Sequence, residues 1–564
     1  MVANAEIVRQ FREMADLLEL QDANPFRVRA YLNAARVIEG WPDQIAARVE
    51  KGQGLGGIPG IGADLAGKIE EIVRTGTFAA LREASEKVPR VLLEILRIPG
   101  LGPKKARALH EKLKVASLAE LEQAAKAGQV ARVPGFSVKT QSHILEELKR
   151  INAAGERFLR AAVEDYAEPL AEYLRGLKGV MRAEIAGSYR RCRETVGDVD
   201  IVAAVTPAAR QSVLEAFTGW REATEVVERG DTSASIRLRS GLRVDLELLE
   251  QKSFGAGLLL HTGSRAHVEA LLKLGRLGKP EDLAGMPEEE IYRSAGLQFI
   301  PPEMRENRGE IELAERGRLP RLLELKDIRG DLQMHTVESD GAATLEQMAQ
   351  AAQEMGYEYI AVTDHSPLLP MIQGLDAGGF RRQWERVDRL NGKLKKLTLL
   401  KAAEVDIHED GTLDLPDDVL AEADLVVVSI HTKFRLPPAE QTRRVVRALS
   451  HPSADVFGHP RGRMLLKREG AMFDMDTVCR AAADHGVMME VNSEPDRLDL
   501  DELSIRTALE RGVRLVVSTD AHHPRELKFI RWGVAQARRG WATKADVANT
   551  LPLARFRKLL HGSR

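Results

Sequence analysis

Residues 359–365 read Tyr359-Ile360-Ala361-Val362-Thr363-Asp364-His365, a short apolar run that ends in an acidic residue and a histidine. Such a run predicts a buried β-strand with polar side chains at its carboxyl end. The same pattern recurs downstream. Apolar runs are followed by Glu404, by His431, by His459 and by Asp520-Ala521-His522, and a strand signal near Ile328 leads to His335, with Asp340 five residues later.

Strand and helix signals alternate from about residue 325 to the end of the chain, which predicts an α/β barrel. The carboxyl ends of all strands in such a barrel open onto one face, so polar residues far apart in sequence converge there. Ten of the fourteen histidines lie in this region. Each histidine alone is best interpreted as a surface residue, but six strand ends in succession predict a multinuclear metal centre.

Imidazole and carboxylate ligands favour zinc, manganese or iron over calcium or magnesium, and Glu404 is placed to bridge two ions. Bound ions of this kind activate water and hold a phosphoryl oxygen, so the predicted reaction is hydrolysis of a phosphoester.

Length and composition indicate a multidomain globular protein. The chain has 564 residues, 44% of them hydrophobic and 29% charged, with a net charge of -2; this length exceeds what one core usually organises. Two cysteines, Cys192 and Cys479, argue against a disulfide scaffold and fit a reducing compartment. Neither a signal peptide nor a membrane-length apolar run is evident, so we expect a cytoplasmic protein, monomeric and without a membrane partner.

A short turn motif recurs in the helical N-terminal region. It reads Ile58-Pro59-Gly60-Ile61-Gly62, Ile98-Pro99-Gly100-Leu101-Gly102 and Val133-Pro134-Gly135-Phe136-Ser137, and each copy leads into a predicted helix. The glycines allow a tight turn, and the free amides of the following helix can bind a phosphate. Residues 91–160 also carry thirteen Lys or Arg against seven Asp or Glu, including Lys104 and Lys105. The motif resembles the helix-hairpin-helix element, which binds the DNA backbone without reading sequence.

A third group of residues predicts nucleotidyl transfer. Asp198 and Asp200 alternate along a predicted strand and therefore point to one face, and Asp245 can add a third carboxylate from a neighbouring strand. Carboxylates in this arrangement hold the two cations that in-line phosphoryl transfer needs. Gly187 and Ser188, followed by two arginines, are suited to binding a triphosphate.

Taken together, the chain resembles a bacterial family X DNA polymerase with a C-terminal polymerase-and-histidinol-phosphatase (PHP) domain. The resemblance spans essentially the whole chain. It rests on the hairpins and on four further motifs, which are Asn24-Pro25-Phe26-Arg27-Val28-Arg29-Ala30-Tyr31, Gly187-Ser188-Tyr189-Arg190-Arg191 with Gly197-Asp198-Val199-Asp200, Thr262-Gly263-Ser264, and Arg329-Gly330-Asp331-Leu332-Gln333-Met334-His335.

This resemblance implies a set of site residues. Asp198, Asp200 and Asp245 are expected to bind Mg²⁺ or Mn²⁺ at the polymerase site, and Gly187, Ser188, Arg191, Thr262 and Gly263 are expected to contact the nucleotide. The expected ligands of two or three Zn²⁺ or Mn²⁺ ions in the barrel are His335, Asp340, His365, Glu404, His431, His459, Asp520 and His522. Gln333 departs from the family, whose motif usually begins His-x-His, so one ion is expected to be held weakly or differently.

The resemblance also implies a domain order: a helical DNA-binding, lyase-like domain (1–80), helix-hairpin-helix fingers (81–155), an α+β nucleotidyltransferase palm (156–250), a small thumb (251–320) and a distorted TIM-like PHP barrel (325–564). DNA contacts are expected at Gly60, Gly62, Gly100, Gly102, Lys104, Lys105 and Gly135. Lys68 aligns with the Schiff-base lysine of polymerase-beta-like lyases; an ordinary surface lysine is the alternative.

Two functions remain open at this point. In the first, a repair polymerase uses dNTPs to fill short gaps in nicked or gapped duplex DNA, while the barrel hydrolyses DNA phosphodiesters as a 3'-5' exonuclease or an abasic-site endonuclease. In the second, the barrel acts on a small phosphate monoester and the N-terminal part is mainly a DNA-binding module. The intact carboxylate triad and the hairpins favour the first.

Overall fold

The computed structural model describes residues 2–561 except 3, 22, 40, 42–43, 59, 97, 99, 155–156, 279–281 and 370–371. Pro59 and Pro99 of the turn motif therefore lie outside the described residues. The chain divides into two compact units, one made of Met1–Ile185 and Thr195–Gln251, the other of Ala186–Glu194 and Lys252–Arg564. In the part of the chain so described, no helix combines the length and apolar character that a membrane crossing requires.

The first unit begins with an all-helical region. Its helices are α1 (Asn4–Leu20), α2 (Pro25–Glu39), α3 (Ile45–Glu50), α4 (Ala63–Thr75), α5 (Ala79–Lys87), α6 (Arg90–Leu96), α7 (Pro103–Leu113), α8 (Leu118–Lys126) and α9 (Val138–Ala154). One continuous cluster of buried apolar side chains runs from Ile7 to Leu148. Apolar side chains of both hairpin-bearing segments contribute to this cluster, and the division of the region into two domains near residue 80 stays a prediction.

The palm completes the first unit. Its elements are β1 (Phe158–Leu159), α10 (Arg160–Arg175), β2 (Val180–Ile185), β3 (Thr195–Val196), β4 (Asp198–Val205), α12 (Arg210–Thr218), β5 (Ala223–Arg229), β6 (Ser233–Leu238) and β7 (Arg243–Leu249). The intervening helix α11 (Gly187–Arg190) belongs to the second unit. The sheet has the order β2-β4-β7-β6-β5, with β4 and β7 parallel and the other pairs antiparallel. Strands β4 and β7 are neighbours and carry Asp198, Asp200 and Asp245, as the sequence predicts.

The second unit contains the thumb and the barrel. The thumb helices are α13 (Phe254–Thr262), α14 (Arg265–Lys273), α15 (Glu288–Ser294) and α16 (Glu310–Glu315). They enclose a small apolar core of their own around Tyr292 and Ile300.

The barrel alternates strands with helices: β8 (Gly330–Asp331), α17 (Leu345–Glu354), β9 (Tyr359–Val362), α18 (Ala377–Asn391), β10 (Thr398–Asp406), α19 (Asp417–Glu422), β11 (Leu425–Ser429), α20 (Pro438–Leu449), β12 (Val456–Phe457), α21 (Met475–His485), β13 (Met488–Asn492), α22 (Glu502–Glu510), β14 (Leu515–Ser518), α23 (Ile530–Arg539) and α24 (Leu553–Phe556). The strands are all parallel, and each pairs with its neighbours in chain order from β8 to β14.

The two edges of this sheet are joined, which makes the barrel nearly closed. Met334 and Ala521 form a parallel bridge just beyond β8 and β14. Buried Asn549 donates to the carbonyls of Gly330 and Val517 at 2.8 and 2.7 Å and so links the same two strands. The carboxyl ends of all seven strands described here consequently face one opening, as the prediction of a TIM-like barrel requires.

Candidate functional site

Glu404, at the carboxyl end of β10, lies at the centre of a histidine cluster inside the barrel opening. Its carboxylate oxygens are 2.9 Å from Nε2 of His459, 3.3 Å from Nδ1 of His365, 3.4 Å from Nε2 of His335 and 3.5 Å from Nε2 of His431. All five side chains are mostly or fully buried. The fold therefore brings these five residues, which the sequence predicts at strand ends, to one place.

Two further carboxylates, partly exposed Asp340 and buried Asp520, extend the cluster. Asp340 lies 3.3 Å from His522, 3.6 Å from His365 and 3.7 Å from His335, and Asp520 lies 3.0 Å from His335. Within the described residues, three overlapping groups have donor atoms close enough to hold one ion each. These groups are His335, Asp340, His365 and His522; His365, Glu404 and His431; and His335, Glu404 and Asp520.

The donor atoms fit divalent cations. Both oxygens of Glu404 and the Nδ1 atoms of His335, His365 and His459 are buried without a hydrogen bond of normal geometry, although the Glu404 oxygens lie as close as 2.9 Å to an imidazole nitrogen. Buried polar atoms normally have partners, so this many orphans in one cluster need an explanation. A cation bound between them would satisfy them, and the mixed nitrogen and oxygen donors suit zinc or manganese.

The carboxylates of the cluster favour positive charge on the neighbouring histidines. Burial opposes the charged form of His365, but Glu404 and Asp340 outweigh it and raise the pKa of His365 to about 9. Burial likewise opposes charge on His522, yet Asp340 and Asp520 raise its pKa to about 10. The neighbouring carboxylates thus favour the protonated form of both imidazoles. A cation that binds to these imidazoles must displace their protons.

Sequence reasoning missed three residues that contact the predicted ligands. Asp406 lies 3.0 Å from Nδ1 of His431, Asn492 donates to Asp520 at 3.1 Å, and Arg497 lies 3.6 Å from Asp520. Such partners orient the ligands of a metal site. Asp406 follows Glu404 by two residues on the same strand, and Asn492 ends β13, a strand that the sequence analysis did not predict. No local pattern singles out Arg497.

Gln333, which replaces the family's first histidine, is buried in the barrel interior. Neither polar atom of its side chain has a hydrogen-bond partner in the described part of the chain. Its amide oxygen remains available as a neutral ligand, which is weaker than an imidazole. The expectation that one ion is bound differently therefore stays a prediction.

The palm carboxylates lie on one face of the five-stranded sheet. Asp198 and Asp200 alternate along β4, and the β4–β7 register places Asp200 directly beside Asp245. Asp245 accepts hydrogen bonds from Ser235 and, at 2.8 Å, from Arg243. The three predicted ligands share one face because side chains two apart, and side chains at paired positions of parallel strands, point the same way.

The predicted nucleotide-binding residues lie in the second unit. Gly187 and Ser188 begin the short helix α11, and Gly187 has a φ of 60°, which favours glycine. Thr262 ends α13, Gly263 follows it, and Nη1 of Arg191 donates to the Thr262 carbonyl at 2.8 Å. These five residues are thus brought onto two adjoining segments, and their contact with a nucleotide stays a prediction.

The three copies of the turn motif have the same backbone geometry. Gly60, Gly100 and Gly135 have φ values of 84°, 81° and 86°. In each copy the residue after this glycine donates its backbone N–H to the residue three positions earlier, at 3.0–3.1 Å. Only glycine adopts this conformation at no steric cost, which explains why the motif repeats.

The helix that follows the turn is capped differently in the third copy. Gly62 and Gly102 precede α4 and α7, where no side chain caps the first amides. Ser137, by contrast, accepts a hydrogen bond from the Thr140 amide at 3.1 Å. The first two copies therefore leave their first helix amides without a side-chain cap, whereas the third satisfies one amide internally.

Lys68 lies on α4 with 15% of its side chain exposed. Its ammonium pairs with Asp64 and lies 5.7 Å from the ring centroid of Tyr31. These contacts give the side chain a structural role, and its lyase activity stays a prediction.

Replacing Lys104 and Lys105 with Ala should weaken binding to all duplexes alike. Both side chains are exposed beside the second turn, and Lys105 donates to the Gly100 carbonyl at 3.1 Å. Loss of two phosphate contacts should reduce the slope of log K against log salt by about 2. Fluorescence anisotropy over a salt series measures this slope. Lys112→Ala, at the far end of α7, should leave the slope unchanged, and an equal loss there would contradict the assignment.

Family models match three parts of the chain. A helix-hairpin-helix domain matches residues 2–78, a SAM-like helix-hairpin-helix tandem matches residues 92–150, and a PHP domain matches residues 331–494. These matches agree with the helical region and with the barrel.

One similar protein covers nearly the whole chain. The DNA polymerase/3'-5' exonuclease PolX of Bacillus subtilis is 34% identical over 568 residues, which are 97% of each chain. Other relatives match the barrel region alone. A probable phosphatase of Thermoanaerobacter is 30% identical over 203 residues, and one of Clostridium acetobutylicum is 26% identical over 203 residues; each match covers 34% of this chain and 78% of the relative.

Proposed function

Because the chain belongs to the bacterial family X DNA polymerases that carry a PHP domain, we propose that it fills short gaps in duplex DNA and hydrolyses DNA phosphodiesters in its barrel. The enzyme classes, a DNA polymerase and a metal-dependent phosphoesterase, follow from the near-complete match to the Bacillus enzyme. The observation that carries the proposal is the convergence of two ligand sets on two separate scaffolds, the face of the palm sheet and the barrel opening.

For nucleotide addition, Asp198, Asp200 and Asp245 would hold Mg²⁺ or Mn²⁺, and the bound ions would supply charge stabilisation for in-line transfer of the nucleotide. The palm sheet presents the three carboxylates on one face, with Asp200 directly beside Asp245. Ser235 and Arg243 hold one oxygen of Asp245 and so limit its rotation. Gly187 and Ser188 are assigned to the triphosphate.

For hydrolysis, the predicted barrel ligands would hold two or three Zn²⁺ or Mn²⁺ ions, which would supply Lewis acidity for phosphodiester hydrolysis. The role of the protein is to hold the metal-binding side chains in a fixed orientation. Asp406 and Asn492 orient His431 and Asp520, and burial of Glu404 keeps water from replacing its contacts. The substrate is proposed to be the 3' end of DNA or an abasic site.

A second function is favoured by the barrel-only relatives, whose names describe probable phosphatases. In this alternative the barrel hydrolyses a small phosphate monoester, and the hairpin region acts mainly in DNA binding. The hairpin turns, with two helix starts that no side chain caps, support the first function, which acts on DNA. They offer binding sites for the DNA backbone, which a phosphatase of small molecules does not need.

The deciding test is a 5'-end-labelled duplex with a one-nucleotide gap, incubated with the protein and Mn²⁺ or Mg²⁺. We expect extension by one nucleotide when the matching dNTP is present and stepwise shortening from the 3' end when dNTPs are left out. A chelator should stop both reactions. Hydrolysis of p-nitrophenyl phosphate with neither extension nor shortening of the labelled strand would establish the alternative instead.

A further inference from the structure

Residues 186–194, which contain the predicted nucleotide-binding helix α11, are fastened by ion pairs to the barrel and thumb of the second unit. Arg539, on barrel helix α23, donates to the Arg191 carbonyl at 2.7 Å and to Glu306 at 3.2 Å. Arg191 itself pairs with the same Glu306 carboxylate at 3.1 Å. The Arg539 side chain is 1% exposed, so water does not compete for these contacts.

A second set of contacts holds the far end of the same segment. Glu194 pairs with Arg463 of the barrel at 2.6 Å and accepts a hydrogen bond from Gln536 at 2.6 Å. Arg463 also donates to the Leu498 carbonyl. Barrel residues therefore hold this segment at two points in its second half, Arg191 and Glu194. The charges involved are largely buried, so breaking these pairs would leave uncompensated buried charge.

The charges are well matched. Burial alone would raise the pKa of Glu306, but Arg191 and Arg539 outweigh it and lower that pKa. Arg190, the other arginine of the segment, is held by the thumb through Glu288 and the Thr262 hydroxyl, each at 2.6 Å. Charged groups that are both buried and paired order the backbone that carries them.

We propose that the barrel acts as a positioning support for nucleotide addition, in which Arg539, Arg463 and Gln536 hold residues 186–194 in the conformation that binds the dNTP. This inference rests on the proposed function, which assigns Gly187 and Ser188 to the triphosphate. Its new content is that residues of the hydrolytic domain set the affinity for the nucleotide.

The test is steady-state dNTP addition to gapped duplex by the full-length protein. Glu194→Ala and Arg539→Met should each raise KM for dNTP about tenfold or more and change kcat less than about threefold. Glu194→Gln should raise KM much less, because its amide oxygen still accepts hydrogen bonds from Arg463 and Gln536. Hydrolysis of the DNA 3' end without dNTPs should stay at the wild-type rate.

Arg538→Ala is the matched control. Arg538 adjoins Arg539 on α23 but pairs with Glu303 of the thumb at 2.7 Å and with the Leu323 carbonyl. It should leave KM for dNTP unchanged. Thermal melting establishes that each variant is folded, and if Arg539→Met does not fold, the Glu194 pair decides alone.

Two results would overturn the inference. One is a wild-type KM for dNTP in folded Glu194→Ala. The other is a parallel loss of dNTP addition and hydrolysis in Glu194→Ala and Glu194→Gln alike, which would indicate general destabilisation. Wild-type protein that adds no nucleotide to the gapped duplex would overturn the proposed function itself, a failure distinguishable from the other two because it needs no variant.

Discussion

Replacing Glu404 with Ala should reduce phosphodiester hydrolysis at least about 10³-fold, roughly 4 kcal/mol in activation free energy, and leave dNTP addition close to wild type. Glu404 belongs to two of the three ligand groups, so its loss removes a donor from both. No other barrel residue lies against four histidines among those the structure describes. The measurement is release of the 3'-terminal nucleotide from labelled DNA with saturating Mn²⁺.

Asp406→Ala provides a graded control for that result. Asp406 supports His431 without belonging to any of the three groups, and loss of such a partner costs about 10- to 100-fold. Glu404→Ala should therefore be clearly the more damaging change. Equal effects of the two substitutions, or loss of dNTP addition in folded Glu404→Ala, would contradict a bridging role in an independent centre.

Asp200→Ala should reduce dNTP addition by at least about 10³-fold and leave hydrolysis intact. Asp200 is the middle carboxylate of the palm set, since Asp198 precedes it on the same face of β4 and Asp245 lies beside it on β7. Removing the Asp200 side chain therefore takes away the carboxylate that is best placed to be shared between two cations. Extension of the gapped primer in single-turnover experiments measures the loss.

Asp231→Ala is the matched control for the palm. Asp231 is an exposed carboxylate between β5 and β6 of the same sheet, away from the paired ends of β4 and β7. Removing the carboxylate at this position should change extension of the gapped primer less than about twofold. If Asp231→Ala and Asp200→Ala were equally impaired, or if Asp200→Ala also lost hydrolysis while still folded, the assignment of the palm ligands would be wrong.

Local patterns were sufficient to predict much of this protein. Strand β9 coincides with the apolar run that begins at Tyr359, and Asp198, Asp200 and Asp245 lie on the neighbouring strands β4 and β7 as predicted. Runs of β-branched and apolar residues between polar ends have few alternative structures. The repeated Pro-Gly turns were predictable for the same reason, since a left-handed glycine leaves a sequence signature. Strand β13 was missed although its exit at Asn492 follows the same rule.

The sequence by itself determined the helical, palm and barrel folds and the strand-exit residues that meet at the barrel opening, because each depends on periodicity and residue type within a short segment. Tertiary structure alone decided that Asp406 and Arg497 support the ligands, and that Arg191, Glu306 and Arg539 form one buried network. These contacts join residues tens to hundreds of positions apart. A buried charge is stabilised by whichever opposite charge the fold brings against it, and no local pattern encodes that pairing.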